Sequence, residues 1–179
     1  MATVDPIQRE NQTIALPGLG RALITAGKLG QKSAEDIYRK ALQSKNSFIA
    51  ELVGSGAVSA ADLAHTLSAA YAAPLLDLNA IDANRLPKGL LDSRICSDYR
   101  VVVLSKRSNR LIVATADPSD QAAAEKIKFS TQMGVDWVIA EYDKLSKLVD
   151  ANTTTATEAM EDIIGGDFEF DESAAEAIP

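Results

Sequence analysis

The apolar positions in the first half of the chain recur at helical spacing and in two copies. Residues 23–29 read Leu, β-branched, two small or polar residues, Gly, any residue and an apolar residue, and residues 52–58 repeat that pattern. Each copy runs into a similar helix start, at 33–37 and 59–63, where Ser precedes Asp by three positions, which is close to a capping box. The Gly after each short helix can adopt a positive φ and end it. The pattern predicts two helix–turn–helix units that pack on each other.

The second half of the chain changes to short β-branched runs. The runs at 101–104 and 111–115 flank a polar turn and predict a β-hairpin, and a run at 135–139 predicts a third strand. One helical stretch lies between the second and third runs, and another follows the third. The order strand, strand, helix, strand, helix predicts a small α/β sandwich whose sheet is covered on one face.

The boundaries of the helices around these strands follow from capping residues. Residues 87–97 predict a short helix before the first strand. Asp117 can cap the helix between the second and third strands, with Pro118 in its first turn, where a missing N–H is harmless. Gly134 is predicted to close that helix, and residues 144–149 predict a last short helix.

The predicted fold class is therefore α+β, with an N-terminal four-helix module of two helical repeats followed by a small three-stranded α/β sandwich module. Pro74 ends the fourth predicted helix and marks the boundary between the modules. The predicted segments are a flexible N-terminus at 1–13, the helical repeat module at 14–74, the α/β module at 75–152 and an acidic linker or tail at 153–179.

The charge of the chain is concentrated at its C-terminal end. The formal net charge is −7, yet residues 152–179 hold eight acidic residues and no Lys or Arg, so the first 151 residues are nearly neutral. Such a tail repels nucleic acid, and no basic stripe elsewhere compensates for it, so a nucleic-acid partner is not expected. Residues after about Thr153 are expected to be mobile unless a partner holds them, because so few apolar groups cannot offset the entropy of ordering the chain.

The sequence indicates neither a cysteine-rich metal site nor a membrane-spanning helix. The single cysteine, Cys96, allows no intrachain disulfide and no cysteine-rich metal site, which is consistent with a reducing cytoplasm. No apolar run approaches 18 residues, so no membrane-spanning helix is expected.

Three further segments give the sequence its resemblance to a known family. They are Leu-Leu-Asp-Leu at 75–78, Arg-Leu-Ile-Val-Ala-Thr-Ala-Asp-Pro at 110–118, and the stretches 125–129 and 141–145. Following paired helical repeats in this order, they resemble the N-terminal domain of the type II secretion and type IV pilus ATPase superfamily, and within it the pilus extension ATPases. The resemblance covers about residues 16–150.

The resemblance implies a non-catalytic regulatory and docking domain that works in the cytoplasm, peripheral to the inner membrane. The partners that it implies are a PilZ-type adaptor protein, the inner-membrane platform proteins of the pilus, and the ATPase motor domain of the same protein.

Catalysis is not expected from these residues. In that superfamily the motor domain carries a P-loop, whose backbone N–H groups cradle phosphates while Lys and Ser/Thr engage phosphate and Mg²⁺. In this sequence Gly27-Lys28 lacks the hydroxyl residue and the upstream Gly, and Gly54-Ser55-Gly56 is better explained as the end of a helix. The sequence therefore predicts no catalytic, cofactor-binding or metal-binding residue, and ATP and Mg²⁺ are expected only in the motor domain of the family.

Cyclic di-GMP is the ligand of the alternative function, a sensor module of the same family. Some members bind this nucleotide through two copies of the repeat, each opening with Arg-Leu-Gly and ending with Gln, and such donors suit guanine and phosphate. Here Gly18 and Ser47 stand at the arginine positions, and Ser44 and Ala70 at the glutamine positions. Since both arginines and both glutamines are absent, binding of cyclic di-GMP is not expected.

The apolar ridge left by these degenerate repeats is the predicted site for a protein partner. Phe48 stands where the motif has Leu, and it either packs in the core between the repeats or anchors a partner. Because the core-facing stripe of a short helix needs only about half of the ridge, some of its residues are expected to remain exposed. The candidate partner-binding residues are Leu19, Leu23, Phe48, Ile49 and Leu52.

Overall fold

The described part of the protein contains seven α-helices, two short 3-10 helices (Leu78–Ala80 and Ala83–Arg85) and three strands. The structure, a computed structural model, describes residues 14–165. The helices are α1 (Gly18–Thr25), α2 (Gln31–Ser44), α3 (Phe48–Gly54), α4 (Ala60–Tyr71), α5 (Ser93–Tyr99), α6 (Gln121–Thr131) and α7 (Tyr142–Gly165). The strands are β1 (Val102–Arg107), β2 (Arg110–Thr115) and β3 (Gly134–Ile139). This arrangement confirms the predicted α+β class. The predicted flexible N-terminus at 1–13, and residues 166–179 of the predicted tail, lie outside the described residues.

The two helical repeats form as predicted, with one difference at a cap. Gly27 and Gly56 follow the two short helices with φ of 69° and 73°, conformations that an L side chain rarely adopts. Ser59 caps α4 by accepting the N–H of Asp62 at 3.1 Å. The prediction that Ser33 caps the second helix is wrong, because α2 already begins at Gln31 and Ser33 lies inside its first turn.

Each short helix packs on the long helix of the other repeat. Helix α1 contacts α4, while α3 contacts α2 and also α7. Buried leucines from α1, α3, α4 and α7 meet in one cluster, which includes Leu23, Leu52, Leu67 and Leu145, and α2 contributes Ala34 to it. The two repeats therefore interlock as a single layer rather than stacking as separate units.

The sheet has the order β1-β2-β3, with β1 antiparallel to β2 and β2 parallel to β3. A single parallel bridge from Leu75 to Ile139 extends it on the β3 side. One face carries Val101, Val103 and Val113, packed in a cluster with Ile127 of α6. The opposite face carries Val102 and Ala114, which pack with α7 and the repeats. The prediction of a sheet covered on one face is wrong, because the successive β-branched residues of each strand supply apolar groups to both sides.

Several predicted helix boundaries are also wrong for local reasons. The N-terminal cap of α6 is Asp120, whose carboxylate accepts the N–H of Ala123 at 3.0 Å, so neither Asp117 nor Pro118 begins this helix. The helix ends at Gln132 in the left-handed conformation, and Gly134 is the first residue of β3. Helix α5 begins only at Ser93 rather than in the Pro- and Gly-containing loop before it.

Helix α7 is far longer than the predicted 144–149, since it continues to Gly165. Its first turns are anchored by the buried Leu145 and Val149, and propagation from an anchored helix costs little per residue. Four threonine hydroxyls beyond this anchor, those of Thr153, Thr154, Thr155 and Thr157, each donate to the carbonyl four residues earlier. The mobility of residues after 153 stays a prediction, as do the proposed segment boundaries.

Among residues 14–165, every helix is too short or too polar to cross a lipid bilayer.

A hydrogen-bonded joint attaches α1 to the segment after β2. The backbone N–H of Leu19 donates to Ser119 Oγ at 3.2 Å, and this hydroxyl donates to Asp117 Oδ1 at 2.5 Å. The N–H of Ser119 also donates to Asp117 Oδ1, at 2.9 Å. At Gly18 a Cβ would lie 2.6 Å from the Tyr71 hydroxyl and 3.1 Å from Ser119 Cβ, so a side chain at this position would require Tyr71 to move. The Ala-Asp-Pro segment thus fixes the first repeat against the sheet instead of starting a helix.

Replacing Phe48 by Ala is expected to lower the free energy of unfolding by about 3–5 kcal/mol, because the substitution leaves a cavity in a buried cluster. Denaturant unfolding of both proteins, followed by circular dichroism, measures the difference. Leu42→Ala is the control, since Leu42 is 59% exposed on α2 and its truncation should change the free energy by about 0.5 kcal/mol or less. An unchanged unfolding midpoint for Phe48→Ala would show that the ring contributes nothing to the core.

Asp117→Asn is expected to change how stability depends on pH. Burial raises the pKa of Asp117, and the hydrogen bonds from Ser119 oppose that rise only in part. A carboxyl with a raised pKa in the folded state contributes stability below its unfolded pKa and loses that contribution as pH rises through the folded pKa. Wild type should therefore gain unfolding free energy relative to Asp117→Asn as pH falls from 7 towards 4.

Urea titrations of wild type, Asp117→Asn and the exposed-site control Asp98→Asn at several pH values test this sign. A wild-type advantage that shrinks as pH falls would mean that hydrogen bonding to the carboxylate outweighs its burial.

Candidate partner-binding site

The five residues of the predicted ridge are all buried. Leu19, Leu23 and Leu52 have 0–1% of their surface exposed, and Phe48 and Ile49 have 8% each. The expectation that part of the ridge stays exposed is wrong, because α7 and the sheet cover the side of the repeats that the repeats alone would leave open. Partner binding by these five residues stays a prediction, and their burial gives it no support.

Of the two roles considered for Phe48, core packing and anchoring a partner, the structure places the ring in the core. Its ring meets Tyr38 edge to face, with centroids 5.3 Å apart and an interplanar angle of 68°. On another side the ring lies against α1, where a Cβ at Gly20 would be 3.1 Å from a Phe48 ring carbon. The Phe48 ring of the second repeat thus packs in the space left by the missing side chain at Gly20 of the first repeat.

The motif positions of the repeats have structural roles in this chain. Ser47 caps α3 by accepting the N–H of Ala50 at 3.2 Å. Ser44 donates to the carbonyl of Lys40 at 2.8 Å and lies 3.2 Å from a Glu51 carboxylate oxygen. Hydrogen bonds from Asn46, followed by the contact with Lys40, lower the pKa of Glu51. These groups hold the end of α2 against α3.

An open groove of about 920 Å³ remains on the outer side of the repeats, between α1 and α4. Its floor consists of small residues such as Ala22 and Ala69, and its polar side chains include Arg21, His65 and Tyr71. Among residues 14–165, no acidic side chain lines it. The groove can therefore accept an anionic or apolar group, although its arginine lies three positions beyond the one in the nucleotide-binding motif.

The most exposed aromatic side chain of the described residues lies on α6. Phe129 is 77% exposed, while Ile127, two residues earlier, is fully buried on the sheet. The sequence analysis did not predict this exposed surface, although the two-residue spacing of Ile127 and Phe129 indicates it. Residues two apart on a helix lie on nearly opposite faces, so Ile127 and Phe129 cannot both be buried by the same sheet.

One salt bridge joins two neighbouring strands of the sheet. Arg110 forms two hydrogen bonds with the Asp136 carboxylate, at 2.9 Å and 2.6 Å, and these bonds lower the pKa of Asp136. They tie β2 to β3 at the exposed end of the sheet. Within residues 14–165, no three His, Cys, Asp or Glu side chains come close enough to hold a metal ion.

Comparison with known proteins gives this architecture a family. The MshEN domain family matches residues 71–159. Over 150 residues, 84% of this chain, the sequence is 31% identical to the type IV pilus assembly ATPase PilB of Pseudomonas aeruginosa. It is 29% identical over 132 residues, 74% of this chain, to PilB of Acinetobacter baylyi. The chain spans about a quarter of the length of these relatives, 26% and 23%.

Two solved structures share the fold. The N-terminal domain of XpsE superimposes with a TM-score of 0.60 at 21% identity, covering 84% of this chain and 97% of that domain. A structure of MshE with cdg (cyclic di-GMP) gives a TM-score of 0.55 at 24% identity, covering 74% of this chain and 96% of MshE as solved. The predicted resemblance to pilus extension ATPases is thereby confirmed. The chain contains an MshEN domain and is homologous to the N-terminal region of the PilB type IV pilus assembly ATPases.

Proposed function

We propose that this chain is the non-catalytic regulatory and docking domain of a PilB-like pilus extension ATPase, through which a PilZ-type adaptor controls pilus assembly. The observation that carries the proposal is homology to PilB across 84% of the chain, in a sequence without a P-loop. On this proposal ATP and Mg²⁺ bind in the motor domain of the same protein. The regulatory and docking domain then acts in the cytoplasm, where it contacts the inner-membrane platform proteins of the pilus.

The surface that we propose for the adaptor is the outer face of α6 around Phe129. The buried ridge cannot supply an apolar anchor without opening the core, whereas the Phe129 ring is already in solvent. Interfaces are enriched in aromatic side chains that a partner can desolvate. The exposed neighbours of the ring one turn earlier on α6 are Glu125 and Lys126, so an apolar pocket with a polar rim of both charge signs is the complementary surface.

Phe129→Ala should weaken adaptor binding about 30-fold, equivalent to about 2 kcal/mol, if the ring is the anchor of the interface. The melting temperature should stay within experimental error of wild type, because the ring is exposed in the free chain. Isothermal titration calorimetry of the full chain with a PilZ-type adaptor from the same organism measures the change.

The control for this measurement is Leu42→Ala, which removes an exposed apolar side chain from α2 on the repeats. It should leave the affinity unchanged. If Leu42→Ala weakens binding and Phe129→Ala does not, the adaptor binds the repeats and the assignment of its binding surface to α6 is wrong. If wild type does not bind the adaptor, the docking function itself fails.

A cyclic di-GMP sensor is the second candidate, because MshE shares the fold and has been solved with this nucleotide. The first arginine of the motif would have to stand at Gly18, where even a Cβ meets the Tyr71 hydroxyl at 2.6 Å. The second would replace Ser47 and its cap on α3. Each missing charge-assisted hydrogen bond removes about 1.5–3 kcal/mol of potential affinity. These positions support adaptor docking over nucleotide sensing.

Calorimetric titration of the full chain with cyclic di-GMP is accordingly expected to give no saturable heat. A one-to-one isotherm would favour the sensor, and the variant Arg21→Ala would then show whether the groove between α1 and α4 holds the nucleotide. Binding that Arg21→Ala abolishes and Lys126→Ala retains would place the nucleotide on the repeats.

A further inference from the structure

A second concave feature lies on the far side of the molecule, at the point where α7 leaves the core. It is a cavity of about 430 Å³ bounded by the loop at 83–91, the beginning of β1 and residues 149–159 of α7. Sites for small molecules commonly have volumes of about 300–1,000 Å³. The cavity is thus large enough to enclose a small ligand rather than a single water molecule.

The lining of this cavity is predominantly aliphatic. Its floor includes the start of the edge strand β1 and the last buried turn of α7, where the side chains are no more than 6% exposed. Its walls come from the loop on one side and from alanines of α7 on the other. The apolar residues that matter most are Val101, Val103, Val149, Leu86, Leu90 and Ala156.

The polar groups of the cavity are few and include one cation. Lys88 lines it and is exposed, and within residues 14–165 its ammonium group makes no ion pair. The side-chain amides of Asn84 and Asn152 also line the cavity, and neither forms a side-chain hydrogen bond to any described residue. In the described part of the chain, no acidic side chain lines the cavity. Asp150, just outside the lining, is paired with Arg100.

We propose that this cavity is a binding site for a small amphiphile, with an apolar body in the aliphatic pocket and an anionic group held by Lys88. An apolar enclosure with one unpaired cation at its edge complements such a molecule in both shape and charge. The two amides supply donors and acceptors for the polar end of the ligand. The site is independent of the surface proposed for the adaptor, since α6 contributes no residue to the cavity.

Binding here would couple the loop to α7. The outer half of α7 is largely exposed, and residues 151–159 supply one wall of the cavity. A ligand that touches both walls adds contacts between them, and it stabilises the folded chain because it binds only that state. The occupied site should therefore reduce amide hydrogen exchange in residues 149–159.

The probe for this site is 1-anilinonaphthalene-8-sulfonate, an apolar fluorophore with one anionic group. Its fluorescence should rise on titration of the full chain and saturate at one molecule per chain. Ala156→Phe, at an exposed helix position in the cavity wall, fills the cavity and should abolish this binding. The matched control Thr154→Phe adds the same ring to the opposite side of α7 and should change the affinity less than twofold. Lys88→Gln should weaken binding about tenfold.

Cys96 provides an independent readout, because the only cysteine of the chain lines the cavity. Burial raises the pKa of its thiol to about 11, so alkylation by iodoacetamide is slow and is best followed at about pH 9. Saturating probe should slow this alkylation at least fivefold in wild type and in Thr154→Phe.

The proposal is wrong if wild type shows no saturable binding, or if Ala156→Phe retains it. It is also wrong if Thr154→Phe loses binding as completely as Ala156→Phe, since the effect would then not come from the cavity. If wild type binds no probe and Ala156→Phe weakens adaptor binding, the cavity receives a protein side chain instead of a small amphiphile.

Discussion

The burial of the first turns of α7 between the helical repeats and the sheet is the constraint on which the rest of the structure depends. Leu145 and Val149 are at most 1% exposed and belong to the same cluster as the leucines of the repeats and two residues of the sheet, Val102 and Ala114. Truncating one buried leucine typically costs about 2–5 kcal/mol, a large part of the net stability of a small protein. The two sequence modules are therefore bound into one hydrophobic core.

This shared core explains why the repeats have no exposed apolar ridge. An isolated pair of helix–turn–helix units would bury about half of each short helix, and the rest would need a partner. Here α7 and the sheet are that partner within the same chain, and the joint from Leu19 to Ser119 and Asp117 fixes their position. The Ala-Asp-Pro segment that carried the family resemblance thus has a structural role at the contact between the two halves.

Periodicity and turn chemistry predicted the order of elements and the turns of the repeats, because both are local. Gly27 and Gly56 end their helices for a reason visible in the sequence, the need for a positive φ. What the sequence did not predict depends on tertiary contacts. Ser119 accepts the N–H of Leu19 in α1 and donates to Asp117, so Asp117 is not the cap of a helix, and α7 continues through a threonine-rich stretch because its start is anchored. The burial of Phe48 and the exposure of Phe129 likewise depend on which faces the other elements cover.

The positions of the charged and apolar side chains bear on whether this surface suits a nucleotide or a protein partner. The repeats have replaced the groups that would hold a nucleotide by a glycine in close contact and a serine that caps a helix. An arginine at Gly18 would require Tyr71 to move, so the packing of α1 on α4 and the absence of an arginine at this position are physically linked. Once the repeats are packed in this way, recognition has to use side chains that the core leaves outside. On α6 the proposed contact is the exposed Phe129 ring, and at α7 the proposed site is the cavity beside Lys88.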